Sequence, residues 1–430
     1  MHMHDDDRKR LAFGVVTAVF FMWGFITVLN DVLVPHLKSV FALDYTRIML
    51  IQFCFFGAYF LMSLPSGKVV SVFGFKNSII LGLCVTGLGA LLFYPAAVLQ
   101  SYGVFLTALF VLASGITLLQ VAANPYVSLL GPPAGASSRL NLSQAFNSLG
   151  TTLAPKFGGL LILSAGVLAP AEFAKLGAQE QLAYRLQQAG TVELPYIGIA
   201  ITLFVLAVVV HLFHLPAVRE MESPADTAHP YREALRHRHL FYGVIAIFLY
   251  VGAEVSIGSF MINYISLPGI GGMPEARAAG FVSLYWGGAM LGRFIGSALL
   301  RRIDARRLLG TFATVAALLV LTTMLSSGTL AVASVVSIGL FNSIMFPNIF
   351  TLGIEGLGPL TGRASSLLIM AIVGGAIIPV AQGALADAFG VHHAFILPLL
   401  CYLYIVFYAF NGSRLDLSPS AAAGVPRRHG

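Results

Sequence analysis

The chain has 430 residues, 57% of them apolar and only 10% charged, with a mean hydropathy of +0.85. A soluble domain carries roughly 25% charged residues, so a water-soluble globule is excluded and lipid is the expected solvent. The formal charge of +7 and pI near 9.4 come from basic residues scattered over loops, which excludes a nucleic-acid footprint.

Apolar stretches of about twenty residues, enough to cross a ~30 Å hydrocarbon core as a helix, predict twelve transmembrane spans. They lie at 12–34, 48–70, 77–98, 102–127, 142–165, 195–215, 240–265, 280–300, 307–326, 330–353, 364–388 and 393–411. The expected fold class is an all-α membrane protein. Outer-membrane strands are short and alternate in polarity, which these stretches do not. The first span has no small-residue cleavage site and exceeds a signal h-region, so it is read as a retained helix.

A charge at membrane depth costs at least ~2.5–3.5 kcal/mol, so it needs a partner or a wet cavity. The first span carries Asn30 and Asp31 near its far end. Asp31 reads either as a titrating carboxylate facing a central cavity or as a side chain snorkelling to water. The fourth span holds Gln120 and Asn124, four apart and therefore on one helix face. Pro125 behind them leaves a backbone carbonyl one turn earlier without its helical donor. The fifth span presents Gln144 and Asn147, three apart, and deeper in it Lys156. Lys156 reads as a counter-ion for a carboxylate, a direct ligand, or a snorkelling chain.

The second six spans repeat the theme. Glu254 and Asn263 lie on the seventh, Trp286 and Arg293 on the eighth, Asn342 and Asn348 on the tenth. Glu254 is compatible with function and with interhelical hydrogen bonding alike. Arg293, close to Arg301 and Arg302, is expected to be structural at the cytoplasmic end. Amides that donate and accept, with an aromatic plate for C–H faces, suit a sugar. The alternative for each amide is an interhelical hydrogen bond worth about 0.6 kcal/mol.

Orientation follows from Lys and Arg. With the N-terminus in the cytoplasm, 18 of the 25 basic residues fall on that side, including Arg8–Arg10, Arg301, Arg302, Arg306 and Arg307. Both termini are then cytoplasmic. The longest basic loop divides the chain, giving a tail at 1–11, a first half at 12–215, a linker at 216–239, a second half at 240–411 and a tail at 412–430. At an offset of 224, Asn124 falls on Asn348, Arg139 on Arg363, Gly150 on Gly374, Pro155 on Pro379 and Gly159 on Gly383. At 223, Asp31 falls on Glu254. Parallel six-plus-six repeats place a site between the halves near the midplane.

Cys54, Cys84 and Cys401 all lie in apolar spans, which supports no disulfide or metal site. No cofactor is expected. His211, His214, His392 and His393 lack carboxylate or cysteine companions, so an enzyme is not expected.

Several runs carry a resemblance. They are Phe21-Met22-Trp23-Gly24-Phe25 with Leu29-Asn30-Asp31, then Ala122-Ala123-Asn124-Pro125-Tyr126, then Arg139 to Ser148. Together they resemble the fucose:proton symporter family of the major facilitator superfamily. Tyr250–Gly258 and Phe341–Pro347 are most similar to its bacterial glucose/galactose branch. The resemblance implies a sugar importer driven by proton symport. Asp31 then matches a first-helix carboxylate tied to proton movement, and Asn147 a fifth-helix sugar ligand. Two residues depart from the pattern: Gln120 stands where fucose permease has a glutamate, and Ser71 where the superfamily has an acid.

The resulting expectation is a monomeric, multi-pass protein of the bacterial inner membrane that imports a monosaccharide, glucose or galactose first, with a proton. Asp31 and Glu254 carry the proton. Asn30, Gln120, Asn124, Gln144, Asn147, Lys156, Asn263, Trp286 and Asn342 bind the sugar. The alternatives are an N-acetylglucosamine or fucose permease, an uncoupled uniporter, or a membrane sugar receptor.

Overall fold

The structure is a computed structural model. It describes residues 5–41, 45–99, 101–161, 175–213, 215–216 and 231–415, apart from the side chains of 5–8, 29–41, 45–50, 52, 156, 158–161, 178, 182, 185–192 and 276. Among the described residues all regular structure is helical. The main helices are α1 (Asp5–Phe41), α2 (Tyr45–Val98), α3 (Tyr102–Leu129), α4 (Ala136–Leu161) and α5 (Ala178–Leu212). They continue with α6 (Arg238–Ser266), α7 (Glu275–Leu299), α8 (Ala305–Leu325), α9 (Gly328–Asn342), α10 (Met345–Gly353), α11 (Thr361–Met370), α12 (Gly374–Phe389) and α13 (Ile396–Phe407).

Nine helical stretches among the described residues are long and apolar enough to cross a membrane. One of them, Phe53–Val98, contains two expected spans. They join at Gly74, whose φ of 73° is a backbone turn that a side chain disfavours. Two more helices, α4 and α7, coincide with the fifth and eighth expected spans. Their hydropathy is lowered by Arg139, Asn141, Gln144 and Asn147 on one and Glu275, Arg277 and Arg293 on the other. Four of these residues, Asn141, Gln144, Asn147 and Arg293, also build the site described below.

The surface is inverted relative to a soluble protein. Ile201, Val205, Val208 and Leu212 are exposed along α5 at spacings of four, three and four, one helix face. Leu318, Leu321 and Leu325 do the same on α8. Lipid is the solvent that such faces suit.

The helices fall into two packed sets. In the first, α2 packs on α3 and α5, and α1 on α4. In the second, α6 packs on α12 and α13, α7 on α9, and α8 on α9 and α13. The sets meet along α4–α7, α4–α10, α2–α11 and α3–α11. The 224-residue offset marks equivalent crossings. A Cβ on Gly150 would lie 2.3 Å from the Phe21 carbonyl oxygen, and one on Gly374 would lie 2.0 Å from that of Phe248. In each set a glycine lets two backbones touch.

Candidate functional site

Helix α4 carries the interface between the sets. Ser137, Ser138, Asn141, Gln144 and Ser148 recur at one-turn intervals, so they share a face. The Ser137 and Thr351 hydroxyls are 2.6 Å apart. Ser138 Oγ donates to the Ser297 carbonyl at 2.7 Å, and Ser297 Oγ returns a bond to the Ser138 carbonyl at 2.9 Å. One turn on, Asn141 Nδ2 donates to Asn348 Oδ1 at 2.9 Å. Arg293 then reaches across, donating to the Gln144 carbonyl at 3.4 Å and to Ser148 Oγ. This end, where the basic loops lie, is closed by hydroxyls, amides and one guanidinium.

Two prolines explain how the contact is secured. Pro125 has no N–H for the Val121 carbonyl, and Ser365 Oγ of the opposite set supplies the donor at 2.8 Å. Pro347 likewise leaves the Ser343 carbonyl open, and Arg293 Nε fills it at 3.2 Å. Below, the turn Tyr231–Ala234 docks under both sets. Tyr231 Oη donates to the Leu64 carbonyl at 2.7 Å, and the Arg363 guanidinium lies 5.8 Å from its ring centre.

The amides on the first set are brought together. Gln120 Nε2 donates to Tyr59 Oη at 2.7 Å, and Gln144 Nε2 to Asn124 Oδ1 at 3.4 Å. Asn147 Nδ2 donates to the Phe20 carbonyl at 2.9 Å and so also ties α4 to α1. All four amides are buried. The backbones of Asn30 and Asp31 belong to α1 and that of Lys156 to α4. Their side chains lie outside the described residues.

On the second set, Tyr250 Oη donates to Glu254 Oε1 at 2.8 Å, one turn away on α6. Tyr250 also reaches the Asn342 carbonyl at 2.9 Å, and Tyr285 Oη the Glu254 carbonyl at 3.3 Å. Asn342 Nδ2 donates to Tyr285 Oη at 2.7 Å, while its Oδ1 accepts from Tyr402 Oη at 2.7 Å. The positive charge of Arg293 acts on Glu254. Gly258, one turn beyond Glu254, faces Trp286: a Cβ there would come 3.4 Å from the indole ring. Trp286 is 42% exposed and packs edge-on against Tyr285, one turn along α6 from Glu254, where it can serve as an aromatic plate.

Three expected residues find definite places. Asn342 is fully buried and holds three tyrosines in place, so in this structure it organises the site from behind. Asn263 is exposed and lies about 14 Å along α6 from Glu254, at 1.5 Å per residue, too far to share one hexose with it. Arg293 is structural as expected, and its contacts join the two sets.

Tyr59, Tyr250, Tyr285, Tyr402 and Ser148 are site residues that sequence reasoning missed. Tyr250 could have been found, since it precedes Glu254 by four. Ser148 likewise follows Gln144 by four on α4, whereas the other tyrosines come from separate helices and left no spacing to detect. Replacing Asn342 with alanine removes the partner of Tyr402 and one partner of Tyr285. A buried hydroxyl left unpaired costs about 1–3 kcal/mol. The thermal midpoint of the detergent-solubilised protein is expected to drop by several degrees, and an unchanged midpoint would show that the amide holds nothing.

Three comparisons bear on this arrangement. The model of the Major Facilitator Superfamily matches residues 11–372. The sequence is 51% identical to the glucose/galactose transporter of Brucella abortus over 416 residues, covering 96% of this chain and 97% of the relative. It is 34% identical to the L-fucose-proton symporter of Escherichia coli over 411 residues, 93% of this chain and 92% of that one. The backbone matches the solved structure of the transporter FucP in the outward conformation with a TM-score of 0.89. That match has 33% identity and covers 95% of this chain and 100% of the other.

Proposed function

The chain belongs to the Major Facilitator Superfamily, and from that premise we propose that it imports a monosaccharide, glucose or galactose first, together with a proton. The observation that carries this reading is a polar group on each set, joined across by Arg293, which donates to the Gln144 carbonyl. Neutral amides Gln120, Asn124, Gln144 and Asn147 stand on one set of helices. Glu254, with the Trp286 plate, stands on the other. Uncharged donors and acceptors match hydroxyls, and the indole face matches sugar C–H groups. The relatives named for glucose, galactose and L-fucose support the same substrate class.

In this reading the sets are two halves, 12–215 and 240–411, joined by a cytoplasmic linker. Both termini lie in the cytoplasm of a bacterium, and a monomer in the inner membrane is sufficient. The protein is a carrier and not an enzyme. The closed end is then cytoplasmic and the cavity opens outward, the state named for the matched FucP structure.

Asp31 takes a proton from outside. The sugar binds among the amides, with Asn30, Lys156 and Trp286 completing its surroundings and Asn263 at the mouth. Glu254, linked to Tyr250 and near Arg293, ties the second half to the same charge state. The halves then rock, and the α4 ladder must open. Each hydrogen bond in it is worth only about 0.5–1.5 kcal/mol net. A ladder of neutral groups with one guanidinium and, among the described residues, no ion pair across it, and with Ser71 where a gating acid would stand, is therefore easily reversed.

The test is counterflow in proteoliposomes preloaded with unlabelled hexose. Uptake of radiolabelled glucose or galactose is expected, with a competition panel ranking fucose and N-acetylglucosamine below them. A protein that binds hexose without exchanging it would be a receptor, and one that exchanges no hexose or amino sugar would end the sugar reading.

A further inference from the structure

The ladder that closes the cytoplasmic end contains hydrogen-bonding capacity that the closed contact does not use. Asn124, Asn141 and Asn348 are all fully buried. Asn124 Oδ1 accepts from Gln144, and Asn348 Oδ1 accepts from Asn141. Yet Asn124 Nδ2, Asn348 Nδ2 and Asn141 Oδ1 have no partner, and neither has the Ser343 hydroxyl on the strand of chain between α9 and α10. Asn124 and Asn348 are equivalents at the 224-residue offset, and each adjoins a proline, Pro125 or Pro347. The unspent donors therefore come in matched form from both halves.

A contact that only sealed the protein would be apolar or fully paired, since an unsatisfied buried amide is costly. Here two amide donors and an amide acceptor remain unpaired. They carry no charge, so they do not suit an ion. They suit a ligand that both accepts and donates through hydroxyls. Their position is equally informative. Asn141 lies three residues, about 4.5 Å, from Gln144 toward the cytoplasmic end. When the halves part there, the Asn141–Asn348 bond breaks with the rest of the ladder, which frees Asn348 Oδ1 and leaves Asn141 Nδ2 only its own-helix bond to the Ser137 carbonyl at 2.8 Å.

We propose that Asn141 and Asn348, reached from the central site by way of the Asn124 amide, form an exit station that receives the hydroxyls of the departing hexose as the cytoplasmic end opens, a second sugar site below the central one. The station rests on the sugar-transport reading and extends it. The ladder is then part lock and part ligand: the groups that hold the closed end are those that receive the sugar when it opens. The Asn141 and Asn348 amides are sealed in the outward state, so they meet sugar only from the cytoplasmic face.

Sidedness provides the test. Hexose transport is measured in proteoliposomes from each face, with the outer or inner population selected by a blocking reagent. Asn348→Ala and Asn141→Ala are expected to raise the KM from the cytoplasmic face about tenfold and that from the outer face less than twofold. The outer-face value doubles as the control for folding. A panel of mono-deoxy hexoses on the unmodified protein gives a second reading free of folding effects. The hydroxyl whose removal most raises KM should differ between the two faces. Equal shifts at both faces, or the same hydroxyl dependence at both, would overturn the exit station. Complete absence of hexose exchange by the unmodified protein would instead remove the transport reading beneath it.

Discussion

Replacing Asp31 with asparagine is expected to leave hexose counterflow within a few-fold of the unmodified protein while abolishing accumulation driven by a pH gradient. Counterflow needs the loaded carrier to cross in both directions, and a permanently neutral residue 31 permits that. Accumulation also needs the empty carrier to return without its proton, which the amide forbids. Gln120 makes this a sharp test, because the fourth span has no carboxylate to take over. Glu254 is the remaining candidate. Its carboxylate accepts from Tyr250 and lies in the field of Arg293, so Glu254→Gln keeps the hydrogen bond and removes the charge. Accumulation in that variant is expected to fall about tenfold, equivalent to about 1.4 kcal/mol of lost coupling. If Asp31→Asn accumulates sugar normally, coupling belongs to Glu254 or to no side chain among the two.

The second large effect is on assembly. Gly374→Leu is expected to yield no monodisperse protein in mild detergent. The added Cβ would sit 2.0 Å from the Phe248 carbonyl oxygen, and a backbone atom cannot turn aside as a side chain can. Overpacking a core costs about 1–3 kcal/mol, occasionally more, even where side chains can yield. Here α12 would have to leave α6, and with it the helix that carries Glu254 and Tyr250. Gly150→Leu should fail in the same way, through the Phe21 carbonyl against α4. Gly280→Ala on α7 is the control, since nothing lies within 4 Å of the site of its Cβ. Normal elution of Gly374→Leu by size-exclusion chromatography would mean that the two helices do not pack so closely.

The fold was largely legible because lipid imposes a simple rule: a backbone must satisfy itself, and helices of a fixed length do so. The repeat was legible for a related reason. Gly150 and Gly374 are matched because each permits a backbone crossing at which no side chain fits, which is a strong constraint on sequence. The Val121 carbonyl that Pro125 leaves without a helical donor was legible, but its partner was not, since Ser365 lies 244 residues from Val121.

The site was legible only in outline. Gln120 and Asn124, or Gln144 and Asn147, could be paired by helical spacing. Which amide faces a solute and which holds a neighbouring helix depends on partners from other helices. Asn342 shows the difference: three tyrosines on three other helices occupy it, and none is near it in sequence. Arg293 shows the same limit: its closeness to Arg301 and Arg302 suggested a structural role at one end of the bundle, but not its partners Gln144 and Ser148 in the opposite set.

The central claim is that hexose and proton move together, and the steady-state accumulation ratio measures it directly. Proteoliposomes are held at zero membrane potential, a pH step is imposed, acidic outside, and labelled galactose is followed to its plateau. With one proton per sugar, one pH unit stores about 1.4 kcal/mol and sustains about tenfold accumulation. The account predicts a ratio near ten for one unit and near one when the step is collapsed by a protonophore. A ratio of one at every pH step, in liposomes that still show counterflow, would contradict it and leave a uniporter.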